Sequence, residues 1–144
     1  MMDVVARAHR LFFHGMLVVV AGLVVGLVVP AFANPRMGLS AHTGMLMNGI
    51  LLIAMGAFWA RQALSERTET IGWWLLVAGS WINAAGVVAA AAFGTAAMTP
   101  IHGARAAGPA AQEALVAALL GVGGVAVLAG CGVAVWGLRT SPRV

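Results

Sequence analysis

The chain has 144 residues, 62% of them hydrophobic and 8% charged, with a mean hydropathy of +0.98, and this excludes a soluble domain of ordinary make-up. The net charge of +4 comes from eight basic residues, all arginines, spread over helix ends and loops. No basic cluster exists to track phosphates, which excludes nucleic acid as a partner, and the single Cys131 excludes an intrachain disulfide.

Four apolar stretches are each long enough to cross the hydrocarbon core as a helix, which takes about 18 or more residues. The first runs from about Leu11 to Phe32. Arg7 and Arg10 precede it in the manner of a signal peptide, but the run exceeds the roughly 7–15 residues of a signal h-region and is kept as a mature helix. A tight turn, Asn34-Pro35-Arg36, leads into a second helix over about 40–60, with Ser40 as the expected N-cap. A polar connection, Arg61 to Thr70, carries Glu66, Arg67 and Glu69. The third helix covers about 71–93, a loop from Gly94 to Ala111 follows, and the fourth helix covers about 112–138.

Backbone polar groups in lipid must be satisfied within the segment, so the spans are helices. Short connections make them antiparallel neighbours, and residues 1–144 form a single all-α domain, an integral membrane four-helix bundle in contact with the lipid bilayer. Arg7, Arg10, Arg61, Arg67, Arg139 and Arg143 fall on one side and Arg36 and Arg105 on the other. The positive-inside rule then puts both termini in the cytoplasm of a multi-pass inner (plasma) membrane protein. Trp59, Trp73, Trp74 and Trp136 fall at the cytoplasmic boundary, as an aromatic belt does.

Glycines recur at spacings of four and seven: Gly15, Gly22 and Gly26 in the first helix, Gly49 and Gly56 in the second, Gly79 and Gly86 in the third. Each set keeps to one stripe, where helices or a flat ligand approach closely. His42 shares its stripe with Gly49 and Gly56 and lies in the run Ala41 to Gly49, amid Met45, Leu46 and Met47. Polar and ionisable side chains at membrane depth are costly and mark working sites. As a structural residue His42 donates a hydrogen bond to a neighbouring helix; as a ligand it offers a neutral imidazole nitrogen to a metal or haem iron. Asn48 lies about 120° around the helix from it and ~9 Å further along. Asn83 shares a stripe with Gly79 and Gly86 and faces the interior or a neighbouring protomer, and Trp81 beside it either walls a pocket or fills the bundle.

His14 and His102 lie near the membrane boundaries, and Glu113 opens the fourth helix, where an acid also suits the helix dipole. No P-loop, dinucleotide fingerprint, Ser-His-Asp set or carboxylate pair is present. One imidazole with amides and no acid in mid-span suits chemistry on an uncharged apolar molecule, with a cofactor supplying the electrophile.

The stretches His14-Gly15, ANPRMGLSAHTGMLMNG from Ala33 to Gly49, PAAQEALVAALL from Pro109 to Leu120 and CGVAVWGLR from Cys131 to Arg139 are similar to hydroxylaminobenzene mutases. The run AH-x-G-x-x-x-NG with Trp81-Ile82-Asn83 also resembles styrene oxide isomerases, four-helix membrane enzymes that assemble as trimers and bind haem b through a histidine. The resemblance implies His42 as the iron ligand, Asn48 as the active-site asparagine, and a homotrimer; Gly49 and Gly56, on the His42 stripe, offer a haem the smooth wall a macrocycle needs. Two departures count against an epoxide isomerase: the chain has no Tyr, Val87 standing in the region of the family's catalytic tyrosine, and Gly79 replaces an acid.

The expected reaction is therefore isomerisation of hydroxylaminobenzene, a small aromatic substrate, to 2-aminophenol, the regiochemistry resting on the resemblance. Ferric haem b is its Lewis acid, Asn48 and Asn83 hold the migrating oxygen, and His14, His102 or Glu113 takes the ring proton. Styrene-oxide-type epoxide isomerisation to an aldehyde is the rival enzyme, and a non-catalytic haem-binding or small-solute membrane protein is the rival of another class.

Overall fold

The computed structural model describes residues 3–102 and 108–140; Arg105 and Arg143 lie outside them. Four α-helices follow in order, α1 (Val4–Leu27), α2 (Pro35–Trp59), α3 (Glu66–Phe93) and α4 (Ala110–Thr140), with a 3-10 turn at Val29–Ala31. All four are long and apolar enough to cross a membrane. The protein is an all-α, multi-pass membrane protein.

The helices begin earlier than the hydropathy alone indicates, and each start has a local cause. Asp3 caps α1 by accepting from the Ala6 amide at 2.7 Å, so α1 starts at Val4 and not Leu11. Arg7 is carried inside by ion pairs to Glu69 at 3.0 Å and Glu66 at 3.9 Å. Asn34, not Ser40, caps α2, accepting from the Met37 amide, and Pro35 occupies the first helical position, where its missing N–H costs nothing. Ser65 caps α3 through the Thr68 amide. The far ends also have causes. Pro30 disfavours helix in the residue before it, so α1 stops at Leu27 rather than Phe32, and Gly94, at φ +68°, closes α3 in the left-handed conformation.

The molecule is built from two tight hairpins, α1 with α2 and α3 with α4, joined mainly along α2 and α3. Glycine makes each hairpin close. A Cβ on Gly15 would meet the Gly49 carbonyl oxygen at 2.8 Å, and one on Gly49 would meet the Gly15 carbonyl oxygen at 2.7 Å, so the two backbones touch directly. Gly56 is pressed in the same way onto Phe12 and the Ala8 carbonyl. In the second hairpin Gly79 meets Val127, Gly123 meets the Asn83 backbone and Gly130 meets Leu76. The main core (Leu11, Val18, Met45, Leu52, Trp59, Trp73, Leu76, Val77, Ala84) runs where α1, α2 and α3 meet. Val20, Val24 and Val135, more than half exposed, face outward, as lipid-facing residues do.

The tryptophans divide. Trp74 and Trp136 are exposed at the surface, as the belt requires, whereas Trp59 and Trp73 are buried. Trp59 donates its Nε1–H to Glu69 at 3.0 Å, and Trp73 donates to the Arg7 carbonyl at 3.1 Å. An indole buried in an apolar core needs a partner for its one donor; the Glu69 carboxylate of α3 serves Trp59 and the Arg7 backbone carbonyl of α1 serves Trp73.

Candidate active site

His42 and Asn48 both stand on α2 but serve different sides of it. The His42 ring lies against α1, its Nδ1 2.8 Å from the Gly22 carbonyl oxygen. A carbonyl only accepts, so Nδ1 carries the proton and, in the neutral ring, Nε2 keeps its lone pair. Gly26 makes room: a Cβ there would meet His42 Nδ1 at 2.5 Å. The ring borders an indentation of about 440 Å³ lined by Leu23, Gly26, Leu27, Val29, Pro30 and Leu39. An imidazole with one nitrogen pinned to a backbone carbonyl and the other free is the arrangement found in metal-ligating histidines. Among the described residues no three His, Cys, Asp or Glu side chains converge, so the donor set suits a metal that brings most of its own ligands, as iron in a macrocycle does. On these grounds the residues fit a haem at His42.

Gly49 and Gly56 are in the α1–α2 seam, their open faces filled by Val19 and Phe12. They bring the helices together and do not border the indentation at His42.

Asn48 and Asn83 meet on a second, larger cavity of about 790 Å³, bounded by Gly44, Met47, Leu51, Gly124, Val127 and Cys131 among others. It lies in the gap that α4, packed along α3, leaves to α2. Nearly all its wall is apolar, with the two amides as its hydrogen-bonding side chains beside the thiol. A space of this kind, mostly apolar with a few placed polar groups, has the character of a small-molecule site. Ser80, fully buried on α3, donates its hydroxyl to Asn48 Oδ1 at 3.5 Å. Sequence reasoning passed over Ser80; its one signal is a hydroxyl within an apolar run a helical turn before Asn83.

The Trp81-Ile82-Asn83 motif works on two sides. Asn83 faces the cavity, while Trp81, about 200° away round the helix, packs against the main core and donates its Nε1–H to His14 Nδ1 at 3.3 Å. His14 also lies edge-on to Trp73. It is thereby tied into the α1–α3 seam.

Glu113 is engaged at the loop end. Its carboxylate accepts from the backbone amides of Ala96 at 2.9 Å, Ala97 at 3.0 Å and Gly108 at 2.8 Å, holding the α3–α4 loop to the first turn of α4. His102 contributes its carbonyl, which accepts from Asn34 Nδ2 at 2.5 Å. Neither these two residues nor His14 borders either cavity. The structure thus brings Asn48 and Asn83 together, sets His42 apart on its own indentation, and leaves His14, His102 and Glu113 in structural contacts.

Four membrane-length helices, with an amide-bearing apolar cavity and a histidine bonded through one nitrogen, define a small polytopic membrane protein. Over residues 7–139 the chain matches the family described as styrene oxide isomerase, and it belongs to that family. It is 35% identical over 136 residues to hydroxylaminobenzene mutase HabB of Ectopseudomonas oleovorans, spanning 94% of this chain and 83% of that protein. It is 40% identical over 92 residues to hydroxylaminobenzene mutase HabA of the same organism, spanning 63% of this chain and 68% of that one. No solved structure matches it. The protein is an isomerase of this family.

Proposed function

We propose that the protein converts hydroxylaminobenzene to 2-aminophenol, with haem b held by His42 and the substrate held by Asn48 and Asn83. The observation that carries this reading is the cavity of about 790 Å³ in which two amides are set in an apolar wall. A neutral arene fills such a space, and the amides have its N–OH group to bind.

In the overall change the N–O bond breaks and a C–O bond forms at the ortho carbon. The ortho carbon gives up a proton and the nitrogen gains one, so atoms and electrons balance within one molecule. Ferric haem b, when bound, supplies a Lewis-acidic iron that polarises the N–OH oxygen without net oxidation or reduction. Asn48 and Asn83 orient the ring and donate amide N–H groups to the oxygen as negative charge develops on it. The apolar wall belongs to membrane-spanning helices, where lipid keeps bulk water away, so the same oxygen returns to the ring and hydrolysis is avoided. His42 holds its ring fixed through the Gly22 carbonyl.

His42 and the two amides open on different faces of one chain. A homotrimer, in which one protomer's face meets its neighbour's, supports a complete site and is part of the proposal. So is placement in the plasma membrane with both termini cytoplasmic, which the arginine distribution supports.

The family match favours a second reading, isomerisation of an epoxide to an aldehyde. One membrane preparation assayed with hydroxylaminobenzene and with styrene oxide separates the two. Formation of 2-aminophenol with little or no aldehyde is expected; turnover of styrene oxide alone overturns the proposal in favour of the second reading.

A further inference from the structure

We propose that Ser80 is a positioning residue that fixes which end of the Asn48 amide faces the substrate, an inference that rests on the reading of Asn48 given above. Ser80 is fully buried in mid-helix on α3, in a segment that spans the membrane. No water is at hand there to satisfy a stray hydroxyl. The usual fallback of a helical serine is to bond the carbonyl one turn back. The Ser80 hydroxyl instead crosses to α2 and donates to Asn48 Oδ1. At 3.5 Å the bond is long, and its weight comes from where it lies, in a membrane-spanning segment with Ser80 fully buried and Asn48 half-buried.

The consequence is a direction. An asparagine amide carries an acceptor at one end and two donors at the other, and rotation by half a turn about its last bond exchanges them. With Oδ1 held by the Ser80 hydroxyl, the Nδ2 donors are left for the cavity that Asn48 lines. Donors are what an oxygen gaining negative charge requires. Without Ser80 both orientations become accessible, and a share of the molecules presents a carbonyl oxygen to the migrating oxygen, which repels it. The loss falls on turnover more than on binding, since the ring is held by the apolar wall in either orientation.

The test uses the full chain in detergent, with hydroxylaminobenzene as substrate and kcat, KM and thermal melting as readouts. Ser80→Ala is expected to lower kcat about three- to tenfold with KM little changed, and Ser80→Cys, similar in size but a weak donor, to fall between Ala and the native residue. The double variant Ser80→Ala/Asn48→Ala is expected to match Asn48→Ala alone within about twofold. Native turnover in Ser80→Ala overturns the proposal. So does a double variant whose loss is the product of the two single losses, the signature of a packing role unrelated to Asn48. If Ser80→Ala does not fold, Ser80→Cys decides: full native kcat assigns Ser80 to packing, and reduced kcat at native KM supports the proposal. Full turnover in Asn48→Ala overturns the reading of Asn48 itself, a result distinct from a failure at Ser80.

Discussion

One nitrogen of His42 is committed to the Gly22 carbonyl, and Gly26 leaves the ring just enough room to make that bond. The pairing is a residue-scale device, since a backbone carbonyl selects the tautomer and a missing Cβ sets the ring's place. Gly26→Ala would put a methyl group 2.5 Å from His42 Nδ1, pushing the ring off Gly22. Loss of such an outer partner costs about 10–100-fold in affinity for the bound metal group. Purified Gly26→Ala is therefore predicted to carry markedly less haem, read as Soret absorbance per protein, while its helical circular dichroism is unchanged. Native haem content in that variant would remove Gly22 and Gly26 from the site. Sequence periodicity placed His42 on a face with glycine, but it could not tell which glycines: Gly22 and Gly26 on α1 adjoin the ring, and Gly49 and Gly56 on α2 serve the helix seam.

At the scale of elements, charge holds one end of the molecule and backbone amides hold the other. Arg7 draws α1 onto α3 through Glu66 and Glu69, and Glu69 in turn accepts a hydrogen bond from the indole N–H of Trp59 on α2, so three helices share one polar knot. Removing one partner leaves a largely buried carboxylate uncompensated. Arg7→Ala is predicted to cost about 3 kcal/mol, visible as a lower melting temperature in detergent, whereas a loss below about 0.5 kcal/mol would mean the knot is solvated. At the other end Glu113 gathers three amides of the α3–α4 loop. Glu113→Gln is predicted to lower the melting temperature in detergent, because a neutral amide accepts less strongly than a carboxylate from the three loop amides, yet to keep kcat within about threefold. A loss of 10²-fold or more, the scale of a missing general base, would return Glu113 to the chemistry. The spans themselves were legible in hydropathy. Their ends were not, because Asp3, Asn34 and Ser65 caps extend helices beyond the apolar runs, and a polar cap outside the membrane leaves no trace in a hydropathy pattern.

At the scale of the whole molecule, the two glycine-packed hairpins meet along α2 and α3 and leave a gap between α2 and α4. Tight packing within each hairpin and looser contact between them make room for a cavity whose lining is apolar apart from two amides and a thiol. Asn83 was legible as facing the interior or a neighbouring protomer from its stripe with Gly79 and Gly86, and Asn48 only as standing about 120° round α2 from His42. Their convergence on one cavity depended on how the hairpins dock, which no single helix pattern encodes. Burial of Trp59 and Trp73 likewise follows from the docking, since the Arg7–Glu69 contact that gives them partners joins residues more than sixty apart in the chain.

The reading of this fold as a haem-dependent mutase is tested most directly by following the absorption spectrum and 2-aminophenol formation together in the purified native protein and in His42→Ala. The native protein is predicted to show a Soret band and to turn over hydroxylaminobenzene, and His42→Ala to lose both while still folding. Native turnover in His42→Ala without a Soret band would contradict the account.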